Sequence, residues 1–576
     1  MKKTVTRRNI LTASAAASVA ACAPAKPGTA YSAKTEFPSG MFKLGIASGD
    51  PHSDSVVLWT HVSPADMRQA SVPVEWKISL QMDMKNPIMT GQGEATRAKD
   101  WTFKALPKGL DAGQIYFYQF TCEGTTSQIG RTRTLPVGAV NKLRFAVVSC
   151  SNWQQGYFNV YDHISRSGDF DALIHLGDYF YEYGTDKAND AMAKARRLHQ
   201  PPHEVLTLED YRIRHAQYRS DPNLQAATAN MPMIPIWDDH ESSNDSWKGG
   251  AENHQEGEGD WADRKQAALR AYFEWMPIRP PEAGRALSAF YRDYKWGDLM
   301  RLFIWETRLF ARGNPIIIED HFESFSTPEG LETFKTKVLN DPSRHMLGAQ
   351  QEADVVKALS QSKDENETWR VIGNQVLMGR LTTPDLTPYV TEEAISEIEK
   401  QWPPIREFVA LSKHRLPVYP DCWDGYAVAR DTLFEKLDAA GVNDLLVLTG
   451  DAHEYWANNI TKSDGTKMGV ELCTSAVSSE TLRTFMGQSV KDYALLMTRS
   501  NADVAYYNAE HNGYMDLTLT PKKGQMKFIA VDTVETTDYR AFEAAKFDIK
   551  KNNNSLKLDN PKGLNVKQRL LFTGLG

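Results

Sequence analysis

Four short stretches of this sequence gather residue types that bind metal ions or move protons. They are Ser149-Cys150, Gly177-Asp178-Tyr179-Phe180-Tyr181, Asp238-Asp239-His240-Glu241 with Asn244 close behind, and Gly450-Asp451-Ala452-His453-Glu454. Carboxylate, imidazole, thiolate and phenolate are metal-ligating groups, and each favours particular ions. A single Gly-Asp dipeptide often marks a mere turn. Four such stretches, each following an apolar run, predict one shared site. Two metal ions about 3.5–4 Å apart clamp both oxygens of an in-line displacement. Holding them that close requires a bridging carboxylate and several further O, N or S ligands. Asp178 and Tyr181, three residues apart, offer a carboxylate and a phenol near each other. A phenolate from Tyr181 and a thiolate from Cys150 favour trivalent iron over zinc or magnesium. Lone cysteines are commonly buried as small hydrophobes, but the position of Cys150 at a strand end favours ligation. Cys122, Cys422 and Cys473 lack a partner at metal-ligand spacing and read as core residues.

The elements that must carry these residues are legible. Leu143–Val148, Ala172–Leu176, Met233–Trp237 and Leu445–Leu448 are nearly continuous apolar runs, as expected of strands covered on both faces. Helical patterns such as Trp261–Trp275 and Ala427–Ala439 fall between them. The alternation predicts an α/β domain, in which ligands bind beyond the carboxyl ends of the strands. Before it, Ser55–Thr60, Val72–Ile78 and Ile115–Phe120 are β-rich runs separated by turn residues. They predict a small β-sandwich over residues 41–136, with Pro73 at a sheet edge or just before a strand. The α/β domain is expected over 143–540, and the Lys/Asn-rich segment 541–576 is left as an extension of unknown role.

The chain has 576 residues, 41% hydrophobic and 24% charged, enough to bury a sizeable core. Mean hydropathy is −0.48, and no apolar run is long enough to make a polytopic membrane protein. The 66 basic and 73 acidic residues give −7, which disfavours a dedicated nucleic-acid binding surface. Five cysteines in 576 residues make no dense disulfide framework. Residues 1–22 pair a basic start with a short Ala/Ser-rich apolar stretch, the form of an export signal. Thr6-Arg7-Arg8-Asn9-Ile10-Leu11 resembles the signal read by the twin-arginine export machinery, which carries folded proteins and so suits a preloaded metal. Val19-Ala20-Ala21-Cys22 resembles a lipobox, giving a lipid anchor at Cys22; an ordinary signal with a coincidental cysteine is the alternative. Residues 23–40, rich in Pro, Ala, Gly and Ser, read as a tether. The expected location is the periplasm or cell envelope.

A family resemblance rests on the same motifs. Phe42–Pro51 and Asp54–Thr60 resemble the N-terminal domain of the alkaline phosphatase D (PhoD) family. So do Phe145–Cys150, Gly156-Tyr157-Phe158, His175–Gly184, Trp237–Glu241, Trp369–Val376, Trp423–Tyr426 and Gly450–His453, in order, from about residue 40 to 525. The resemblance implies a calcineurin-like metallophosphatase domain, an α+β four-layer β-sandwich, behind a small all-β fibronectin/immunoglobulin-like domain. It implies iron(III) and calcium, with zinc or another divalent ion as the alternative at the second site. By the same resemblance Asp178 bridges the metals, Cys150, Tyr181 and His453 bind iron, and Asp239 and Asp451 bind the second metal. His240 lines the site as proton donor or phosphate partner, and Asn244, Asn374 and Arg308 bind substrate or support the ligands. The sequence departs from the family at Glu306, where Asp is usual, along the charged stretch Tyr183–Pro202, and after about residue 540.

There is no Gly-x-Ser-x-Gly elbow, phosphate loop or His-Glu-x-x-His helix. A hydroxide made available by metal coordination is the expected nucleophile, attacking a phosphate ester in line, with the metals and His240 stabilising the equatorial oxygens. Three readings follow: a phosphomonoesterase, a phosphodiesterase including phospholipase D-like activity, and an envelope binding lipoprotein with a vestigial site. The full ligand set argues against the third.

Overall fold

The computed structural model describes residues 40–559, apart from 401, 402, 404, 488, 489, 553 and 554. The export signal, the lipobox, nearly all of the tether and the final residues therefore lie outside the described residues.

Two large mixed sheets organise the chain. In the ten-stranded sheet, the parallel strands Leu143–Val148, Ala172–His175 and Pro232–Pro235 lie at the centre. Antiparallel strands Gly513–Leu519, Gly524–Val531, Ala541–Asn552 and Ser555–Leu558 extend one side. The segment after residue 540 thus begins as sheet, with Ala545, Phe547 and Ile549 buried on one face. In the seven-stranded sheet, Met300–Ile304, Trp369–Gly373, Leu445–Thr449 and Lys467–Cys473 run parallel.

Successive side chains of a strand point to opposite faces, and that period divides the core. Leu302, Ile304, Val371, Leu446 and Leu448 pack with Phe145, Leu173 and Leu517 of the ten-stranded sheet. Their neighbours Phe303, Ile372, Leu445 and Val447 face the helices Ala349–Asp364 and Ala427–Ala439 through Val355, Leu359, Leu433 and Phe434. The central strands are buried on both faces, which explains their nearly continuous apolar runs, interrupted by Arg144, Arg301 and Arg370.

The N-terminal segment builds a five-stranded sheet around Ser71–Ser79, Pro87–Thr96 and Ile115–Cys122. Alternation along Ile115–Cys122 points Tyr116, Tyr118 and Phe120 inward, against Ile46, Leu58 and Phe103. Pro73 sits inside the strand, where Pro87–Thr96 is the neighbour and pairing with Ile115–Cys122 has not begun. Its missing N–H therefore leaves no ladder bond broken on that side. The opposing layer, Ile46–Gly49, Val57–His61 and Thr102–Ala105, is also the far edge of the ten-stranded sheet, because Ser48 and Gly49 pair in parallel with Pro232 and Met233. The sequence boundary near residues 136–143 is thus crossed by a continuous sheet. A buried ion pair reinforces this joint. The Asp50 carboxylate accepts from Tyr294 Oη at 2.9 Å and the Arg279 amide at 2.9 Å, and pairs with the Arg279 and Arg292 guanidiniums.

Candidate metal centre

The carboxyl ends of both sheets meet. Ser149 pairs with Ala476 across them, and Gly177 packs so tightly that an added Cβ would lie 2.3 Å from Asp238 Cβ. The chain leaves the strands in a left-handed conformation at Cys150 (φ 61°), Asp178 (φ 53°) and Asp451 (φ 62°), and again at His453 (φ 58°). Each such residue costs on the order of 1–3 kcal/mol. Four at one place turn the side chains into a common centre.

Two overlapping ligand groups result. Cys150, Asp178 and His453 place a sulfur, a carboxylate oxygen and a ring nitrogen within 4.8 Å of one another, and Asp178, Asp238, Asp239 and Asp451 do the same with carboxylate oxygens. Asp178 belongs to both. Tyr181 joins the first group: its Oη donates to Asp178 Oδ2 at 3.1 Å, lies 2.9 Å from His453 Nε2 and accepts from Ser479 Oγ at 2.8 Å. His453 Nδ1 lies 2.8 Å from the Glu480 carbonyl. That contact places the proton on Nδ1 and leaves the Nε2 lone pair facing the group.

His240 borders both Asp178 and Asp239. Its Nδ1 is 2.7 Å from Oε2 of buried Glu182, whose Oε1 accepts from the Asn244 amide and Asn253 Nδ2. Burial alone would lower the imidazole pKa; Glu182, Asp239 and Asp178 outweigh it and hold His240 protonated above the usual range. Its ring lies on Tyr181 with centroids 4.0 Å apart.

The electrostatics of this cluster call for cations. Burial, followed by the charges of Asp239 and Asp238, pushes the Asp178 carboxyl well up against the pull of His240. Burial also pushes up the thiol of Cys150 and the phenol of Tyr181, and takes Asp451 to about 7. Asp239 alone stays low, because Arg308 and His240 overcome its burial. Asp178 Oδ1 and Asp238 Oδ2 are buried with no hydrogen-bond partner among the described residues. Orphaned oxygens and crowded acids fit a metal pair, whose charge would deprotonate the ligands. The side chain of Asp451 is 22% exposed against 1% for Asp238 and 3% for Asp239, so the group opens to solvent at Asp451.

The remaining predicted residues lie around this centre. Asn374 is buried and tied locally, donating to the Val376 carbonyl at 2.7 Å and accepting from Trp423 Nε1 at 3.5 Å. Asn244 donates from Nδ2 to Glu252 at 3.2 Å. Arg308 is buried among Asp238, Asp421 and Asp451. The four described cysteines are free; Cys422 lies 3.7 Å from Asp451 Oδ2, and Cys473 donates to the Gly450 carbonyl. Sequence reasoning gave no role to Glu182 or Glu241. The Glu241 carboxylate accepts the amides of Asp178, Tyr179 and Asp238 at 3.0, 2.7 and 2.9 Å, splinting two strand ends together. Glu182 directly follows one ligand run and Glu241 closes another, and neither position specifies the contact it makes.

Comparison with known proteins agrees with this architecture. The family model described as PhoD-like phosphatase matches residues 145–528, and that of the PhoD-like phosphatase N-terminal domain matches residues 26–136. The chain is similar to alkaline phosphatase D of Bacillus subtilis (strain 168), with 28% identity over 538 residues, covering 91% of this chain and 83% of the relative. It also resembles a solved structure of PhoD, with TM-score 0.73 and 27% identity over 95% of this chain and 98% of that one.

Proposed function

The chain belongs to the PhoD-like phosphatase family, and on that premise we propose that it is an exported, metal-dependent phosphoric ester hydrolase of the alkaline phosphatase D type. The observation that carries the reading is Asp178, shared between a Cys/Tyr/His group and an all-carboxylate group. Cys150, Tyr181, His453 and Asp178 would hold iron(III); Asp178, Asp239 and Asp451 would hold calcium or another divalent ion. Hard oxygen donors suit calcium, and thiolate, phenolate and imidazole suit iron. When bound, such a pair supplies Lewis acidity and lowers the pKa of water to about 7.

The chain's own residues supply the rest. The seven-stranded and ten-stranded sheets, packed face to face with helices outside, support a four-layer metallophosphatase reading, and the N-terminal strands an immunoglobulin-like one. Glu182 holds the proton on His240 Nδ1 and leaves Nε2 for the reacting phosphoryl group. A protonated His240 can donate to a leaving or equatorial oxygen as negative charge develops there. Opening at Asp451 admits the ester from the carboxylate side. The substrate is a phosphoric monoester, a diester or both. Arg7-Arg8 supports twin-arginine export and Cys22 a lipid anchor.

The test is a parallel assay of metal-analysed protein with p-nitrophenyl phosphate and bis-p-nitrophenyl phosphate, before and after chelation. Turnover of at least one ester that disappears with the metal is expected. Turnover of neither, at full metal content, would overturn the reading.

A further inference from the structure

We propose that Arg308 is a built-in cation of the carboxylate group: a positioning residue that fixes which oxygens of Asp238 and Asp451 face a divalent metal, and not a substrate contact. Arg308 is fully buried. Its Nε donates to Asp238 Oδ1, its Nη1 to Asp421 Oδ2 at 2.6 Å and its Nη2 to Asp451 Oδ1 at 3.3 Å, with Asp239 Oδ1 at 3.8 Å. Each of its three nitrogens is thus committed to a carboxylate. All three carboxylates grouped with Asp178, those of Asp238, Asp239 and Asp451, border this one guanidinium.

The consequence is a choice of oxygen. Asp238 Oδ1 is taken by Arg308, while Oδ2 is buried and has no hydrogen-bond partner among the described residues. Asp451 Oδ1 is likewise taken, leaving Oδ2, among the described residues, with the weak Cys422 thiol at 3.7 Å. Asp238 therefore becomes a further member of the divalent site. The mount is rigid. Glu306 accepts the amides of Arg308, Leu309 and Phe310 at 3.0, 2.6 and 2.8 Å and the Trp237 indole at 2.9 Å. Asp421 is gripped from behind by Arg312. Outer partners of this kind orient ligands and tune metal affinity.

This inference rests on the reading that the carboxylates hold a divalent ion. The full-length protein, loaded with iron, is titrated calorimetrically with Ca²⁺ as wild type, Arg308→Lys and Asp421→Asn. Lysine keeps the charge but, as a point donor, cannot span three carboxylates. Asp421→Asn leaves Arg308 in place and serves if the Lys variant fails to fold. Ca²⁺ affinity is expected to fall about 10- to 100-fold. The iron absorption band should persist, since Arg308 touches none of Cys150, Tyr181 and His453. Unchanged Ca²⁺ affinity in the variants with a raised KM would make Arg308 a substrate contact and overturn the proposal. Loss of the iron band together with Ca²⁺ binding would mean general collapse and overturn it as well. Wild type that binds no divalent ion would overturn the underlying reading too, a failure visible without any variant.

Discussion

Tyr181 Oη and His453 Nε2 lie 2.9 Å apart, 272 residues distant in the chain, with Asp178 Oδ2 3.1 Å from the same phenol oxygen. Three potential ligands thus converge on one point from the ends of two different sheets. If iron(III) sits there, a phenolate–iron charge-transfer band should colour the purified protein; zinc, redox-inert and d10, gives none. Tyr181→Phe should bleach or shift that band and lower iron content, read by absorption and metal analysis. A band unchanged in the Phe variant would reduce Tyr181 to a packing residue.

The contact between Glu182 and His240 predicts a kinetic signature. Glu182→Gln keeps the shape and an acceptor but removes the charge that holds the imidazole protonated. We predict a kcat lower by about 10²-fold, within the range of general acid–base contributions, with metal content unchanged. Equal kcat in the variant would remove His240 protonation from the account.

Asp50 gives a prediction about stability and pH. Burial would raise its carboxyl, but Arg292 and Arg279 hold it below the ordinary value of 3.8. A depressed folded-state pKa means that the stabilisation is complete above pH 3.8 and is lost as pH falls through the folded value. Asn tolerates the left-handed backbone at this position (φ 48°). Asp50→Asn strands the two guanidiniums and should cost about 3–5 kcal/mol, measured by denaturant unfolding at neutral pH. The gap to wild type should narrow below pH 3.8. A gap independent of pH would contradict the ion-pair assignment.

Export is tested separately. Replacing Arg7 and Arg8 with Lys should leave precursor in the cytoplasm, and Cys22→Ser should release the mature protein from the membrane fraction. Fractionation followed by blotting reads both, and unchanged distributions would defeat both assignments.

Much of this site is visible in sequence because local rules govern its parts. The helices span Trp261–Trp275 and Ala427–Ala439, the bounds that their residue patterns predict. The ligand runs follow strands whose double-sided burial leaves them mostly apolar up to the strand end, Arg144 and His175 being the exceptions. Long-range pairing hides the rest. The joint of Ser48 with Pro232 cannot be read from either segment, so a domain boundary is expected where the sheet continues. Strand Ala541–Asn552 alternates buried Ala545, Phe547 and Ile549 with charged residues, and its lysines mask that pattern. Arg308 enters the sequence reading only by resemblance, as a residue that binds substrate or supports the ligands; its contacts with Asp238, Asp421 and Asp451, which come from three parts of the chain, are not legible there.

The shared carboxylate is the centre of the account, and elemental analysis of Asp178→Asn tests it most directly. The variant removes one charge from a residue common to both ligand groups. Relative to wild type purified in parallel, iron and the divalent metal should be lost together from a protein whose circular dichroism is unchanged. Retention of both metals at wild-type stoichiometry, or loss of one with the other fully kept, would contradict the bridging role of Asp178.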